Sequence, residues 1–376
     1  MKILQLTAHF SPNIGGVETH LDDLIHALSK RKHKVFVLTY RPLTAKVKWK
    51  VFEKRQAAEI LRIPWIPGLF YRLVKSPVLE FLYLLPGLFL FLPLVILFKG
   101  PDVIHAHGLV AGFVAVFWGK MFGKRVVIST HSIYHFPASG TYRTFVKWIF
   151  TKGDIVMGPS KRAFDEIASL GISENKVGTF TYWVDLENFR PIPKNQAKAE
   201  IDWAEKFVVL FVGRLVPEKG VGLLLNAAVA WDKNINLAVV GTGPLESQIQ
   251  GVSSKHKNIM FLGKISNEKL PVYYSASDLI IIPSIHDEGF GRVILESLAC
   301  GTPVIGSKRG SIPEAMDESV GKLIDVSPET IKKNLEFFYA NSGKLGELSK
   351  NTRKFAVLRY SEKNVEQIIK AYRKTA

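Results

Sequence analysis

Short apolar runs alternate with helical patterns along most of the chain. A run of four to eight apolar residues bounded by turn residues predicts a buried strand, whereas apolar residues three or four apart predict a helix. Leu21, Leu24, Ile25 and Leu28 show the helical spacing between the first two runs. Alternation of strand and helix predicts a parallel sheet. The strands predicted in the first half are Ile3–Thr7, Val35–Thr39, Asp102–Gly108, Val126–Ser132 and Ile155–Met157, and Phe164–Leu170 is predicted to be a helix.

The alternation stops at residues 185–205, where Pro191 and Pro193 stand among Lys and Asn, and then it restarts. Proline with few large apolar residues is typical of a linker. A chain of 376 residues also exceeds the usual size of one hydrophobic core. We therefore predict two α/β domains, residues 1–188 and residues 189–357. The strands predicted in the second are Phe207–Val212, Leu237–Val240, Ile259–Leu262 and Leu279–Ile282, and Val304-Ile305 begins another.

Basic residues are concentrated in the first half. The net charge is +17, and residues 1–190 hold 25 Lys and Arg against 13 Asp and Glu, which leaves +12. Such an excess indicates an anionic membrane surface or a nucleic acid as partner, unless it serves solubility alone. Nucleic acid is disfavoured because the aromatic residues cluster in apolar runs instead of alternating with basic ones. The single cysteine, Cys300, excludes an internal disulfide and a cysteine metal cluster.

The segment after the second predicted strand departs from the alternation. Residues 41–63 are basic and irregular, and residues 64–98 are strongly apolar, with no charge in Phe81–Phe98. A membrane span is disfavoured because Pro86 and Pro93 interrupt the run and charged residues bound it closely on both sides. Two interpretations remain: a buried helix of the sheet, or an apolar flank that dips into a membrane interface beside basic residues.

Glycine and histidine residues lie at predicted strand ends in the first half. Gly15 and Gly16 follow the first strand, where they would let backbone amides approach an anion, although a plain turn is an equal alternative. His105 and His107 lie at the end of one strand, and His131 lies at the end of another. Ligands of such sheets bind beyond the carboxyl ends of the strands. An isolated histidine there can equally be structural.

The strongest chemical pattern is in the second half. Arg214 and Lys219 follow a predicted strand and could neutralise two phosphates, although each alone could be a solvated loop residue. A helix beginning near Gly291 adds free amides and a positive dipole end. Glu288 and Glu296 would be repelled by phosphates and suit hydroxyl groups instead. The pattern predicts a ligand with a diphosphate between two hydroxyl-rich ends, which describes a nucleotide sugar.

These residues resemble a known family. The segment Glu288-Gly289-Phe290-Gly291 followed by Glu296 is similar to the paired-glutamate motif of the retaining glycosyltransferases of family 4. The resemblance covers nearly the whole chain. It implies the α/β fold called GT-B, in which two Rossmann-like, doubly wound parallel-sheet domains face each other across a cleft. The supporting segments are Pro12–Glu18, Asp102–Gly108, Thr130-His131, Gly213–Gly220 and Cys300–Ile305.

The resemblance implies a role for each charged residue of the second domain. Arg214 and Lys219 would bind the donor diphosphate and stabilise the leaving charge. Glu296 would hold the ribose, and Glu288 would lie at the transferred sugar. Because two cations and a helix end can replace Mg²⁺, and the chain has no Asp-x-Asp sequence, we expect a metal-independent reaction.

The resemblance extends to the first domain. His131 would lie near the transferred sugar, and Gly15 and Gly16 would belong to a loop that closes on the donor. A last helix, at about residues 358–376, would pack back on this domain. The predicted catalytic residues are therefore Glu288, His131, Arg214 and Lys219, and the predicted donor-binding residues are Gly15, Gly16, Arg214, Lys219, Lys264, Ile265, Phe290, Gly291 and Glu296.

From these residues we expect an enzyme that transfers a sugar from a UDP- or GDP-sugar to a lipid or glycan acceptor. The basic first half favours a lipid-linked or membrane-associated acceptor and a peripheral position on the cytoplasmic face of the membrane. The alternatives are a soluble glycoside or polysaccharide synthase, a non-catalytic basic membrane-binding module, and a sugar-nucleotide epimerase. Two departures from the family pattern leave the substrates open: Tyr182-Trp183 replace a frequent Asn-Gly, and Gly310-Ser311 replace a paired glycine.

Overall fold

The computed structural model describes residues 1–13, 15–44, 47–69, 73 and 76–373. The chain forms two compact units, Met1–Tyr182 with Glu362–Ala376, and Trp183–Ser361. Each unit contains one sheet of mainly or entirely parallel strands, with helices between successive strands. The α/β architecture with two Rossmann-like halves, predicted from the alternation of apolar patterns, is therefore confirmed.

The first unit is built on an eight-stranded sheet. Its strand order is β3-β4-β2-β1-β5-β6-β7-β8, and only the β3–β4 pair is antiparallel. Because helices cover both faces of a parallel sheet, its strands are continuous apolar runs. The elements are β1 (Lys2–Thr7), α1 (Gly16–Lys30), β2 (Lys34–Tyr40), β3 (Phe52–Lys54), β4 (Glu59–Ile63), α2 (Pro77–Lys99), β5 (Val103–His107), α3 (Leu109–Met121), β6 (Arg125–Ser129), α4 (Thr141–Lys152), β7 (Ile155–Gly158), α5 (Lys161–Ala168) and β8 (Val177–Thr179).

The second unit is built on a six-stranded parallel sheet. Its elements are α6 (Lys194–Glu200), β9 (Phe207–Val212), α7 (Val221–Ala230), β10 (Ile235–Val240), α8 (Glu246–Ser253), β11 (Ile259–Gly263), α9 (Leu270–Ala276), β12 (Leu279–Ile282), α10 (Arg292–Ala299), β13 (Val304–Ser307), α11 (Ile312–Ala315), β14 (Gly321–Ile324), α12 (Pro328–Ala340) and α13 (Ser342–Arg359). The strand order is β11-β10-β9-β12-β13-β14. The order reverses between β9 and β12, and ligands of open α/β sheets bind outside the carboxyl ends of the strands at such a switch point. The last helix, α14 (Val365–Tyr372), belongs to the first unit.

The 23-residue helix α2 continues through both of its prolines, whereas the sequence predicted that they interrupt it. The Tyr40 hydroxyl donates to the carbonyl of Leu84 and accepts from the amide of Leu88 at 3.1 Å. In a regular helix these two backbone groups would bond each other. A Cβ on Gly87 would lie 2.5 Å from the Tyr40 ring, so this glycine makes room for the insertion. The tyrosine thus satisfies the backbone where the helix departs from regular geometry.

One face of α2 packs on the sheet and the other stays exposed. Among the described residues, α2 is the one helix long and apolar enough to cross a membrane, a test that a core helix of a soluble protein also passes. Only 39% of its most apolar window is buried, so the helix is not a buried core helix throughout. Large apolar side chains are exposed on α2 and on the adjacent helices α3 and α4, and we call this set the apolar face. It consists of Val78, Leu79, Leu82, Leu90, Leu94, Leu97, Phe98, Phe117, Met121, Phe145 and Trp148.

Candidate functional site

Glu288 lies in the loop after β12 and is ion-paired with Lys219, which follows β9. Glu288 as a residue is 8% exposed, and the Ser284 hydroxyl also donates to its carboxylate. Burial by itself raises the pKa of Glu288, but the charge and hydrogen bond of Lys219 together with the Ser284 bond outweigh it and lower the pKa. The structure therefore brings together two of the predicted catalytic residues, one from each side of the switch point, as an ionised pair.

The Glu288 loop is held by backbone contacts that only glycine permits. The Ser311 amide donates to the Glu288 carbonyl at 2.9 Å, and the Gly310 amide donates to the Asp287 carboxylate at 2.7 Å. Gly310 has a φ of +57°, and a Cβ on it would lie 2.3 Å from the Glu288 nitrogen. Gly220 similarly approaches the Pro283 carbonyl, where a Cβ would lie 1.9 Å from the oxygen. Sequence reasoning noted Gly310 only as a departure from a family pattern and missed that it supports the loop.

Glu296 is on α10 and is 6% exposed. The Tyr274 hydroxyl donates to one carboxylate oxygen at 2.8 Å, and the Arg292 side chain lies 3.6 Å from the other. Burial raises the pKa of Tyr274, and the neighbouring Glu296 charge raises it further, so the tyrosine remains a donor. Sequence reasoning missed Tyr274, because a tyrosine within a short apolar helix gives no signal of a polar partner.

The remaining predicted donor-binding residues of the second unit lie near strand ends. Arg214 is exposed in the loop after β9, and Lys264 is exposed after β11, with Ile265 half-buried beside it. Phe290 is 6% exposed and packs edge-on against Tyr360, with ring centres 6.0 Å apart. Gly291 caps α10 with a φ of +82°, a conformation that favours glycine.

A chain of buried polar side chains crosses the first sheet. Nδ1 of His105 lies 2.7 Å from the Tyr372 hydroxyl, and Nε2 lies 2.7 Å from the Ser129 hydroxyl. Tyr372 in turn accepts from the Gln5 amide at 3.2 Å, and the Gln5 carbonyl oxygen is 2.7 Å from Nε2 of His107. Because the Gln5 oxygen only accepts, His107 carries its proton on Nε2 and accepts at Nδ1.

His131 is the outer end of this chain. Its Nε2 lies 2.9 Å from Nδ1 of His107 and must donate there, and its Nδ1 accepts from the Tyr182 hydroxyl at 2.7 Å. Burial lowers the pKa of His131 to about 3, so the ring is neutral at neutral pH. Tyr182, which differs from the residue frequent in the family, therefore orients the predicted catalytic histidine. In this arrangement His131 is a neutral group of fixed orientation and not a free base.

The predicted glycine loop precedes α1 at the carboxyl end of β1. The Thr19 amide and hydroxyl both bond the Gly15 carbonyl, at 3.1 and 3.0 Å, and helix α1 begins at Gly16. The Asn13 side-chain oxygen accepts from the amide and hydroxyl of Thr44, at 3.1 and 2.8 Å. The loop is thereby attached to the segment that follows β2.

Comparison with known families accounts for both units. Residues 14–188 match the family described as Glycosyltransferase Family 4, and residues 193–355 match the family described as Glycosyl transferases group 1. The chain belongs to the family 4 glycosyltransferases. The expected family and the expected glycosyltransferase activity are thus confirmed.

Two relatives illustrate the range of similar proteins. The phosphatidylinositol N-acetylglucosaminyltransferase GPI3 subunit of Saccharomyces cerevisiae (strain YJM789) is 23% identical over 328 residues, which cover 84% of this chain and 69% of the relative. An uncharacterized glycosyltransferase of Methanocaldococcus jannaschii is 24% identical over 398 residues, which cover 97% of this chain and 96% of the relative.

Solved structures show the same fold. The sucrose-phosphate synthase of Thermosynechococcus elongatus has a TM-score of 0.82 at 23% identity, covering 99% of this chain and 98% of that one. HepE of Anabaena in complex with UDP and glucose has a TM-score of 0.77 at 20% identity, covering 98% of both chains. With the two parallel sheets described above, these likenesses confirm the expected GT-B fold.

Proposed function

We propose that this enzyme transfers a sugar, with retention of configuration, from a UDP- or GDP-sugar to a lipid-linked or membrane-associated acceptor. The Lys219–Glu288 pair at the switch point of the second sheet is the observation that carries the donor part. A buried ion pair at that position combines a cation for phosphate with an anion for hydroxyl groups. The solved structures of HepE with UDP and glucose and with UDP-glucose support a nucleotide-sugar donor.

Donor binding would break the ion pair between Lys219 and Glu288. The diphosphate attracts the Lys219 ammonium, and the exposed Arg214 guanidinium can bind phosphate oxygens bidentately. Glu288, oriented by the Ser284 hydroxyl, then accepts from hydroxyl groups of the transferred sugar. Glu296, held by Tyr274, is proposed to accept from the ribose hydroxyls.

The chemistry that follows is electrostatic. As the bond from the sugar to the diphosphate breaks, negative charge develops on the leaving oxygen, and Lys219 and Arg214 stabilise it. The leaving oxygen takes the proton of the acceptor hydroxyl as that hydroxyl attacks from the same face. Two cations replace the charge of a metal ion in this scheme, so we propose a metal-independent reaction. His131 and the Gly15–Gly16 loop are proposed to position the sugar.

The membrane part of the proposal rests on the apolar face. Phe98 is 82% exposed and Leu97 is 65% exposed. Contact of such large apolar side chains with water is unfavourable in free energy unless a partner covers them. Lys120, Lys124, Arg143 and Lys147 lie on or next to α3 and α4, where they would meet anionic lipid head groups. The relatives named for transfer to phosphatidylinositol support a lipid acceptor.

Calorimetric titration with UDP and GDP, followed by turnover of the matching sugar nucleotides, tests the donor part. Glu288→Gln should keep nucleotide binding, because Glu288 no longer competes with the phosphates for the Lys219 ammonium. Turnover should fall by about a hundredfold or more. Glu318→Gln changes an exposed carboxylate of the same unit and should alter neither value. Unchanged turnover in Glu288→Gln would contradict the assignment. Activity that is lost with a chelator and restored by Mg²⁺ would contradict metal independence.

Vesicle flotation and product extraction test the membrane part. The protein should float with phosphatidylcholine vesicles that contain phosphatidylserine, more strongly at low salt. Phe98→Ser should reduce flotation, whereas Leu358→Ser, which changes a side chain 72% exposed in the second unit, should not. Absence of flotation together with a purely water-soluble product would favour the soluble glycoside synthase instead.

A further inference from the structure

We propose that the first unit binds a phosphate-bearing lipid head group in a pocket of about 1220 Å³ between the segments that follow β2 and β4. The inference rests on the proposed function and specifies its acceptor. The pocket exceeds the range of about 300–1,000 Å³ that is usual for small-molecule sites. Its polar lining includes Arg41, Thr44, Lys48, Lys50 and Glu53, and Trp49 supplies an aromatic wall. None of these residues is among the predicted donor-binding set.

The pocket carries an excess of positive charge. Glu53, the one carboxylate among the described lining residues, is already paired with Arg55 at 2.7 Å and with Arg62 at 3.1 Å. Arg62 is 1% exposed, so the acidic charge is neutralised from beneath the pocket. Among the lining residues that the structure describes, no further anion compensates the cations of Arg41, Lys48 and Lys50. A ligand with at least one negative charge therefore fits this lining.

Arg41 is arranged to recognise a phosphate. Its guanidinium lies over the Trp49 ring, 4.9 Å from the ring centre. Its Nε is buried and has no hydrogen-bond partner among the residues that the structure describes. Stacking on an aromatic ring fixes the plane of a guanidinium while its edge remains free for two parallel bonds to phosphate oxygens. The indole also offers an apolar surface for the flat side of a sugar or cyclitol ring.

Hydrogen bonds join the pocket to the proposed reaction centre of this unit. Thr44, a lining residue, donates twice to Asn13 in the loop that leads to Gly15 and Gly16. Arg62 links the same loop to Glu53, because one of its terminal nitrogens donates to the Ser11 carbonyl at 2.7 Å and to the Glu53 carboxylate. An acceptor held in the pocket would therefore lie beside the glycine loop.

The apolar helix α2 is attached to the side of the pocket formed by the segment after β4. Trp65 packs on Tyr40 with ring centres 5.2 Å apart, and its Nε1 donates to the Tyr83 carbonyl on α2 at 3.1 Å. Pro67 and Gly68, which line the pocket, follow Trp65 after one intervening residue, Ile66. The first exposed side chains of the apolar face lie at the start of the same helix. A head group in the pocket would thus have its acyl chains beside an apolar surface, which favours a lipid phosphate over a free phosphate.

Calorimetric titration with dihexanoyl phosphatidylinositol below its micelle concentration tests the site. Dihexanoyl phosphatidylcholine and inorganic phosphate serve as comparison probes. The wild-type protein should bind the phosphatidylinositol more tightly than either, and Arg41→Gln and Trp49→Leu should each weaken that binding about tenfold or more. Lys34→Gln removes the same charge at the opposite end of β2, and it should leave binding unchanged. UDP affinity and the midpoint of urea unfolding should be the same in all variants, which establishes that both units are folded.

Three results would overturn the inference. The first is that phosphatidylcholine binds as tightly as phosphatidylinositol. The second is that inorganic phosphate binds as tightly as phosphatidylinositol. The third is that Lys34→Gln and Arg41→Gln lose phosphatidylinositol affinity to the same extent. If UDP binds while phosphatidylinositol does not, this inference fails and the donor part of the proposed function stands. If phosphatidylinositol does not bind and neither UDP nor GDP binds, both fail.

Discussion

Acidification should destabilise the first unit through His105, and His105→Gln should remove a defined part of that sensitivity. The ring of His105 is fully buried, and burial lowers its pKa from 6.5 to about 3. The folded chain therefore keeps the ring neutral, whereas the unfolded chain takes up a proton below about pH 6.5. The stability that His105 contributes is fully present above pH 6.5 and is lost as the pH falls from there towards 3.

The size of the effect follows from these two pKa values. Each pKa unit corresponds to about 1.4 kcal/mol. Between about pH 7.5 and about pH 5.5 the uptake of one proton on unfolding lowers the free energy of unfolding by about 1.4 kcal/mol. Burial also lowers the pKa of His107, so the wild-type protein should lose more than this single contribution.

Urea unfolding at the two pH values measures the effect. His105→Gln will lower stability at both, because it disturbs the bonds to Tyr372 and Ser129. The decrease in its free energy of unfolding between the two pH values should nevertheless be smaller than that of the wild type by about 1.4 kcal/mol. His26→Gln, which replaces an exposed histidine on α1, is the control and should follow the wild type. Equal pH dependence in wild type and His105→Gln would refute the reasoning.

Two further predictions concern the supports of the donor residues. Gly310→Ala forces a Cβ to 2.3 Å from the Glu288 amide at a φ of +57°, and it should cost about 2–4 kcal/mol of stability and weaken UDP binding. Gly343→Ala, which meets open space on α13, is its control in the same unfolding and titration experiments. Tyr274→Phe removes the hydrogen bond that Tyr274 donates to the buried Glu296, and it should weaken UDP binding by about 1–3 kcal/mol while Glu288-dependent turnover at saturating donor is kept. Unchanged UDP affinity in both variants would contradict the assigned supports.

The neutral state of the histidine chain changes how the catalytic set is understood. The resemblance placed His131 near the transferred sugar, and the structure adds that both ring nitrogens are engaged, by His107 and Tyr182. A ring held this way can orient a neighbour or pack against a sugar, but it does not exchange a proton near pH 7. We therefore do not expect a pH-rate profile governed by this residue.

The sequence by itself determined the architecture and the main chemical groups. Short apolar runs predicted the strands, because the strands of a parallel sheet covered on both faces are apolar on both sides. The motif from Glu288 to Glu296 could also be recognised from the sequence, since its glycines, carboxylates and following helix are adjacent in the chain. Such local patterns are set by backbone conformation within a few residues, so they are visible without tertiary structure.

Only the tertiary structure decided which side chains meet. Lys219 and Glu288 are 69 residues apart, and Gln5 and Tyr372 are 367 apart, so no local pattern pairs them. The prolines of α2 were expected to interrupt it, because the sequence does not show that the Trp118 indole donates to the Phe89 carbonyl, which Pro93 leaves without its helical partner, or that Tyr40 inserts its hydroxyl between Leu84 and Leu88. Burial is likewise a tertiary property. It keeps the histidines neutral and leaves one face of α2 exposed, because packing against distant strands determines which side chains lose contact with water.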